Sequence, residues 1–93
     1  MSVTQLQTFV AIAEERHLGR AARRLHLTQP PLSRRLAALE DELGAPLFER
    51  TSRGMRLLPA GARLLPHARG ILAAVAAASA AVHAAGDRPT RPT

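Results

Sequence analysis

The segment from Thr28 to Gly44 constrains this chain most, because its beginning, its end and its buried face are all written in residue types. Thr28 suits a helix N-cap. Pro30 and Pro31 follow in a first turn whose N–H groups have no intrahelical partner to lose. At roughly 100° per residue, Leu32, Leu36, Leu39 and Leu43 fall on one narrow stripe. Gly44 can adopt a left-handed conformation, and Pro46 prevents continuation. The side away from the stripe carries Pro30, Ser33, Arg34, Ala37 and Ala38. A helix that enters the major groove of DNA needs such a front, without bulk in its first turns and with an Arg able to fork onto guanine. An ordinary amphipathic helix with a solvated front shows the same pattern, so this stretch alone leaves both readings open.

Two shorter helices are expected upstream. Ser2 or Thr4 can cap the first, since Gln5 or Gln7 stands three residues later, the spacing of a capping box. Leu6, Phe9, Val10 and Ala13 define its core-facing stripe, and Glu14, Glu15 and Arg16 close it on the solvated side. His17, Leu18 and Gly19 form a joint, with Gly19 as the next cap. The second helix, Arg20 to Leu25, has small residues at Ala21 and Ala22, where a neighbouring backbone can come close. Arg20, Arg23 and Arg24 lie around its outer side, and at least one of them, Arg20 included, is placed for a DNA phosphate. His26, Leu27 and Thr28 make a corner of helix-turn-helix length. Because Pro30 and Pro31 offer no N–H to cap, the Thr28 hydroxyl is left free to meet a phosphate.

Beyond Gly44 the period changes. Leu47–Arg50 and Met55–Leu57 alternate around Thr51-Ser52-Arg53-Gly54, which has turn chemistry. A small β-hairpin with Arg53 at its tip is expected. A hairpin directly after a recognition helix is a wing, and an Arg there can enter a narrow, A·T-rich minor groove.

The charge balance agrees with a polyanionic partner. The 93 residues carry a formal net charge of +6 with Arg as the cation throughout and no Lys. Arg suits bidentate contact with phosphate and guanine. A membrane surface would also attract such a chain, but the Arg residues cluster away from the one long apolar stretch. With Phe9 and Phe48 as its aromatic residues, the chain lacks the stacking platforms of single-strand and RNA binders. The absence of Cys suits a reducing cytosol. No signal peptide is visible, and the run from Ile71 to Val82 is too short to span a bilayer. A cytoplasmic protein without membrane attachment is expected.

From Pro59 to Ala85, Ala dominates and predicts a rod about 40 Å long. Pro66 falls early in it, where a bend can absorb its missing N–H. Leu65, Ala68, Leu72, Val75, Ser79 and Val82 recur at three and four and form a seam for a second copy of the helix. A helix packed back on its own domain is the competing account. A two-fold dimer would present two recognition helices to half-sites about one helical turn, or a multiple of it, apart.

Together these residues resemble the LysR-type transcriptional regulators. The likeness runs in register from Thr4 to about Leu72. It includes Leu6-Gln7-Thr8-Phe9-Val10-Ala11, Ala21-Ala22-Arg23-Arg24-Leu25-His26 and Thr28-Gln29-Pro30-Pro31-Leu32-Ser33-Arg34. It continues through Leu39-Glu40-Asp41-Glu42-Leu43-Gly44, Pro46-Leu47-Phe48-Glu49-Arg50, Ala60-Gly61 and Leu64-Leu65-Pro66-His67-Ala68. The resemblance implies a mainly α winged helix-turn-helix: three helices, a small β-hairpin wing and a long linker helix. It implies sequence-specific double-stranded DNA binding in bacterial transcription regulation, as a homodimer or a pair of dimers. Gln29, Pro30, Ser33 and Arg34 would then face base edges or adjacent phosphates, with Pro31 beside them, and Arg53 would serve the wing. The chain departs from the family pattern at His17, Gly19 and Leu58, where the family often has hydroxyl residues. The expected organisation is a DNA-binding domain over 1–58, a dimerisation helix over 59–85 and a flexible tail over 86–93. The family's effector-binding domain lies beyond this span, so no small-molecule effector site is expected here.

Nothing in the sequence points to an active site. His17, His26, His67 and His83 have no metal-ligand spacing, and Glu40, Asp41 and Glu42 point in different directions on one helix. No enzymatic activity, cofactor or metal is expected. The competing class is a protein–protein module whose Ala-rich helix captures a partner.

Overall fold

The computed structural model describes residues 1–86. Residues 87–93 of the expected tail lie outside the described residues, and Gly86 belongs to the last helix instead. The elements are α1 (Val3–Glu15), α2 (Leu18–Arg24), α3 (Gln29–Leu43), β1 (Phe48–Thr51), β2 (Gly54–Leu57) and α4 (Pro59–Gly86). This is the three-helix, two-strand, long-helix order expected of a winged helix-turn-helix.

α1 is the hub and touches α2, α3, α4 and β2. Its apolar face is wider than a stripe: Leu6, Thr8, Phe9, Val10, Ala11 and Ile12 are all buried, whereas Ala13 is only partly so. A helix surrounded on several sides buries more than one edge. Of the two candidate caps, Ser2 is used. Its Oγ accepts the Gln5 N–H at 3.1 Å, and Gln5 Oε1 accepts the Ser2 N–H at 2.9 Å. The two phenylalanines meet across the core, with Phe9 and Phe48 ring centroids 5.4 Å apart at 46°, an ordinary tilted aromatic contact.

The second helix begins earlier than expected. His17, not Gly19, is its N-cap, and the ring Nδ1 accepts the Arg20 N–H at 3.3 Å. Gly19 lies inside the helix. In α3 the spine of Leu32, Leu36 and Leu39 is buried, but Leu43 is exposed. Periodicity tells which side of a helix is apolar, not how far along it a neighbour extends. Gly44 ends α3 in the left-handed conformation, φ 69°, and its N–H donates to the Glu40 carbonyl at 2.8 Å. The Glu40 carboxylate accepts the Leu47 N–H at 2.7 Å and thereby ties α3 to the entry of β1.

The hairpin pairs Phe48 with Leu57, Glu49 with Arg56, Arg50 with Met55 and Thr51 with Gly54. It is docked on α1 by one backbone bond, Met55 N–H to Arg16 O at 3.0 Å. Gly54 has φ 124°, and a Cβ there would lie 2.3 Å from Arg16 O. Glycine is therefore required for both conformation and approach.

α4 is continuous through Pro66. Its inner half packs on the domain: Gly61 and Ala68 are buried, and Leu64, Leu65 and Leu72 lie against the core. Ala68, expected on a seam for a second copy, is fully covered by its own chain and has no surface left for a partner. Leu65 and Leu72 are half-buried there as well. Ile71, Val75 and Val82 remain exposed, as does Ser79. The rod is longer than the apolar run alone indicated. Its 28 residues, with mean hydropathy 1.4 over the most apolar window, are long and apolar enough to cross a membrane by length and composition.

Glu14 and Glu15 do more than solvate α1. Glu14 meets Arg24 of α2 at 2.8 Å and Arg69 of α4 at 3.1 Å, while Glu15 meets Arg24 at 3.3 Å. The hydrogen bond from Arg24, joined by that from Arg69, holds the Glu14 carboxyl below the usual carboxylate range. A carboxyl lowered by folding adds stability above its unfolded value and loses it as pH falls through the folded value. These groups are substantially exposed, so each pair is worth roughly 0.2–1 kcal/mol. Glu14→Gln is expected to lower Tm by about 1–6 °C at neutral pH. In acid below the folded value the two proteins should melt together; a gap that persists there would place the effect elsewhere.

Candidate nucleic-acid interface

The start of α3 is built to present side chains outward. Thr28 takes extended dihedrals as N-cap, yet its side chain makes no capping hydrogen bond. The two prolines in the first turn provide the reason, since neither has an N–H to be capped. Thr28, Gln29, Pro30 and Arg34 are exposed, and Pro31 and Ser33 are partly so. At helical spacing Pro30 and Arg34 lie opposite the buried leucine spine.

Beside this protruding edge is a cleft of about 310 Å³. His17 and Gly19 of α2, Gln29 of α3 and Arg50, Ser52 and Arg53 of the hairpin line it. A second hollow, about 550 Å³, adjoins it, sharing His17, Gly19 and Gln29, with Arg23 and Thr28 in its wall. The fold thus brings Thr28, Gln29 and Arg53 to one concave margin. Pro30, Pro31, Ser33 and Arg34 line neither hollow, and the exposed Arg20 lines neither either. The hairpin turn is held locally: Thr51 Oγ1 accepts the Arg53 N–H at 3.2 Å and donates to Gly54 O at 3.1 Å.

The charges are partitioned. Arg24 and Arg69 pair with the acids of α1, and Arg56 pairs with Glu49 directly across the hairpin. Glu42 pairs with the N-terminal amine, and Glu40 is occupied by backbone N–H groups. Among the described residues, Arg16, Arg20, Arg23, Arg34, Arg35, Arg50, Arg53 and Arg63 make no ion pair. The arginines that stitch the domain are neutralised by its own acids, and Arg34 and Arg35 of α3 and Arg50 and Arg53 of the hairpin are left to a partner. Arg24, grouped with Arg20 and Arg23 in the sequence, belongs to the first kind.

Sequence reasoning missed His17, Gly19 and Arg50 at this margin. From sequence His17 falls in the joint before the second helix and is given no chemistry; its signal is its place immediately before that helix. Arg50 is exposed in β1, next to a turn already marked by Arg53.

The match to known proteins covers this architecture. The family model described as "Bacterial regulatory helix-turn-helix protein, lysR family" matches residues 3–62. The chain belongs to the LysR family. It is 56% identical over 72 residues to the HTH-type transcriptional regulator TfdS of Cupriavidus pinatubonensis, a stretch covering 77% of this chain and 24% of that protein. The crystal structure of a CbnR DNA-binding domain–DNA complex superposes with a TM-score of 0.84 at 42% identity, covering 92% of this chain and 99% of that one. The BenM DNA-binding domain in complex with catB site 1 DNA superposes with a TM-score of 0.88 at 35% identity, covering 95% and 99%. This LysR-family chain therefore spans about a quarter of a curated relative such as TfdS, but nearly the whole of the solved DNA-binding domains.

Proposed function

We propose that this chain recognises specific double-stranded DNA in the bacterial cytoplasm and serves transcription regulation. It lays α3 in the major groove and the hairpin in the adjacent minor groove. The observation that carries this reading is the partition of charge: every described acid except Asp41 is occupied by another group, whereas Arg34 and Arg35 of α3 and Arg50 and Arg53 of the hairpin make no ion pair. The regulator TfdS and the DNA-bound CbnR and BenM domains supply the analogy. In this reading the protein catalyses nothing and needs no cofactor, metal or membrane. Leu64, Leu65, Ala68 and Leu72 engage the domain core, so the inner half of α4 is not available to lipid.

The outer half of α4 would pair two copies, as a dimer or within a pair of dimers. Ile71, Val75, Ala78 and Val82 recur at four, three and four, and all are exposed in the single chain. This replaces the inner part of the expected seam, keeps Val75 and Val82, and exchanges the exposed Ser79 for Ala78. The alternative, in which this stripe captures a different protein and DNA contact is incidental, is separated by specificity. Sites selected from random duplexes should share one motif with two-fold symmetry. They should bind at least about 10³-fold tighter than scrambled sequence at physiological salt. Salt-sensitive binding without sequence preference would refute the reading.

Arg53 offers a finer test. Its guanidinium at the hairpin tip would use the stronger negative potential of a narrow A·T minor groove. Arg53→Ala is expected to weaken binding about tenfold on duplexes with A·T-rich flanks and less on G·C-rich flanks. Equal loss on both, measured by fluorescence anisotropy, would reassign it to a plain phosphate contact.

A further inference from the structure

Gly19 is the second residue of α2, and its helical backbone requires no glycine conformation. Alanine is the better helix former there, so the bare Cα needs a steric reason. A Cβ on Gly19 would stand 3.1 Å from Cε1 and 3.3 Å from Nδ1 of His17, and 3.4 Å from Nε2 of Gln29. An imidazole from the start of α2 and an amide from the start of α3 therefore converge on the space a side chain would fill. The ring is not free to swing away, because its Nδ1 holds the Arg20 N–H. The added methyl would press on the held ring at 3.1 Å and stand in ordinary contact with the movable amide at 3.4 Å, so relief from the ring pushes it on to the amide. The amide would give. His17, Gly19 and Gln29 are also the residues shared by the cleft and the neighbouring hollow.

We propose that Gly19 is a positioning residue for Gln29: its missing side chain sets the pose of the Gln29 amide at the DNA face and, through it, the base preferred at one operator position. The proposal rests on the DNA-binding reading above. An amide reads adenine by presenting its oxygen and nitrogen together, donor to acceptor and acceptor to donor. A small rotation misaligns both contacts at once, so a methyl group that touches no base can still alter recognition.

The test compares sites selected from random duplexes by the 93-residue chain, Gly19→Ala, Gln29→Ala and the double variant. Gln29→Ala is expected to relax preference at one position of each half-site. Gly19→Ala should relax or change preference at that same position by about tenfold and leave the others unaltered. Adding Gly19→Ala to Gln29→Ala should do nothing more. The crowding atoms all belong to side chains, so Tm should move by no more than a few degrees. In a His17→Ser background the ring is gone while serine can still cap α2, and Gly19→Ala should there retain the preference of its His17→Ser parent. An unchanged preference in Gly19→Ala, or an effect that persists without the Gln29 amide, would overturn the positioning role and leave the DNA-binding reading standing. If Gln29→Ala changes no position, the base contact of Gln29 is refuted and the proposal falls with it.

Discussion

Gly61→Ala is expected to destabilise the domain by about 3 kcal/mol and lower its Tm by about 10–20 °C, although it adds one methyl to an alanine-rich helix. The Cβ would lie 2.4 Å from Leu47 O and 2.7 Å from Leu57 Cδ1. The Leu57 methyl can turn aside, but the carbonyl cannot. Leu47 is almost wholly buried, its N–H is held by Glu40, and its oxygen already accepts the Leu58 N–H at 2.9 Å. Relief must therefore come from lifting α4, which loosens Leu64, Leu65 and Ala68 from the core. Gly70→Ala is the matched control. Nothing lies within 4 Å of its Cβ position, so only helix propensity changes, and a gain of about 1 kcal/mol is expected. The same substitution nine residues apart on one helix should thus act with opposite sign. Thermal melts followed by circular dichroism measure both. If the two variants shift Tm in the same direction, the close approach of α4 to Leu47 is not what anchors the helix.

What could be read in advance depended on how local the determining contacts are. α3 and the hairpin were legible because Pro30-Pro31, Gly44 and Thr51-Ser52-Arg53-Gly54 act within a few residues of themselves. The α4 seam was misread at its inner end because Ala68 follows the same repeat as Val75, and only tertiary packing makes one of them core. Glu14 looked like a wet charge because one of its partners, Arg69, is 55 residues away. The role of Glu40 was not legible because the N–H groups it accepts lie seven and eight residues on, across a turn. His17 fills a capping role more often given to Ser, Thr, Asp or Asn. At the candidate interface the chemistry of Thr28, Gln29, Arg34 and Arg53 could be named from the chain. That His17, Gly19 and Gln29 come together where two hollows adjoin depends on how α2 meets α3.

Arg34→Ala is expected to cost about 1–3 kcal/mol on the preferred duplex and to relax one base position. The side chain is exposed, leaves α3 opposite its buried spine and makes no ion pair among the described residues, so its guanidinium is available to a guanine edge. A loss of affinity would not by itself establish that role. The chain carries many arginines, and removing any that meets a phosphate weakens binding on all sequences and reduces the salt slope by about one. Arg34→Lys separates the two accounts. Lysine keeps the charge but not the planar fork. If Arg34 holds a phosphate, lysine should bind nearly as the parent does. If it forks onto guanine, lysine should lose most of the discrimination that alanine loses, with the salt slope almost unchanged. Titrations of matched and single-base-changed duplexes at two salt concentrations read both quantities. A lysine variant that keeps the parental base preference would remove Arg34 from base recognition and leave that task to Gln29 and Ser33.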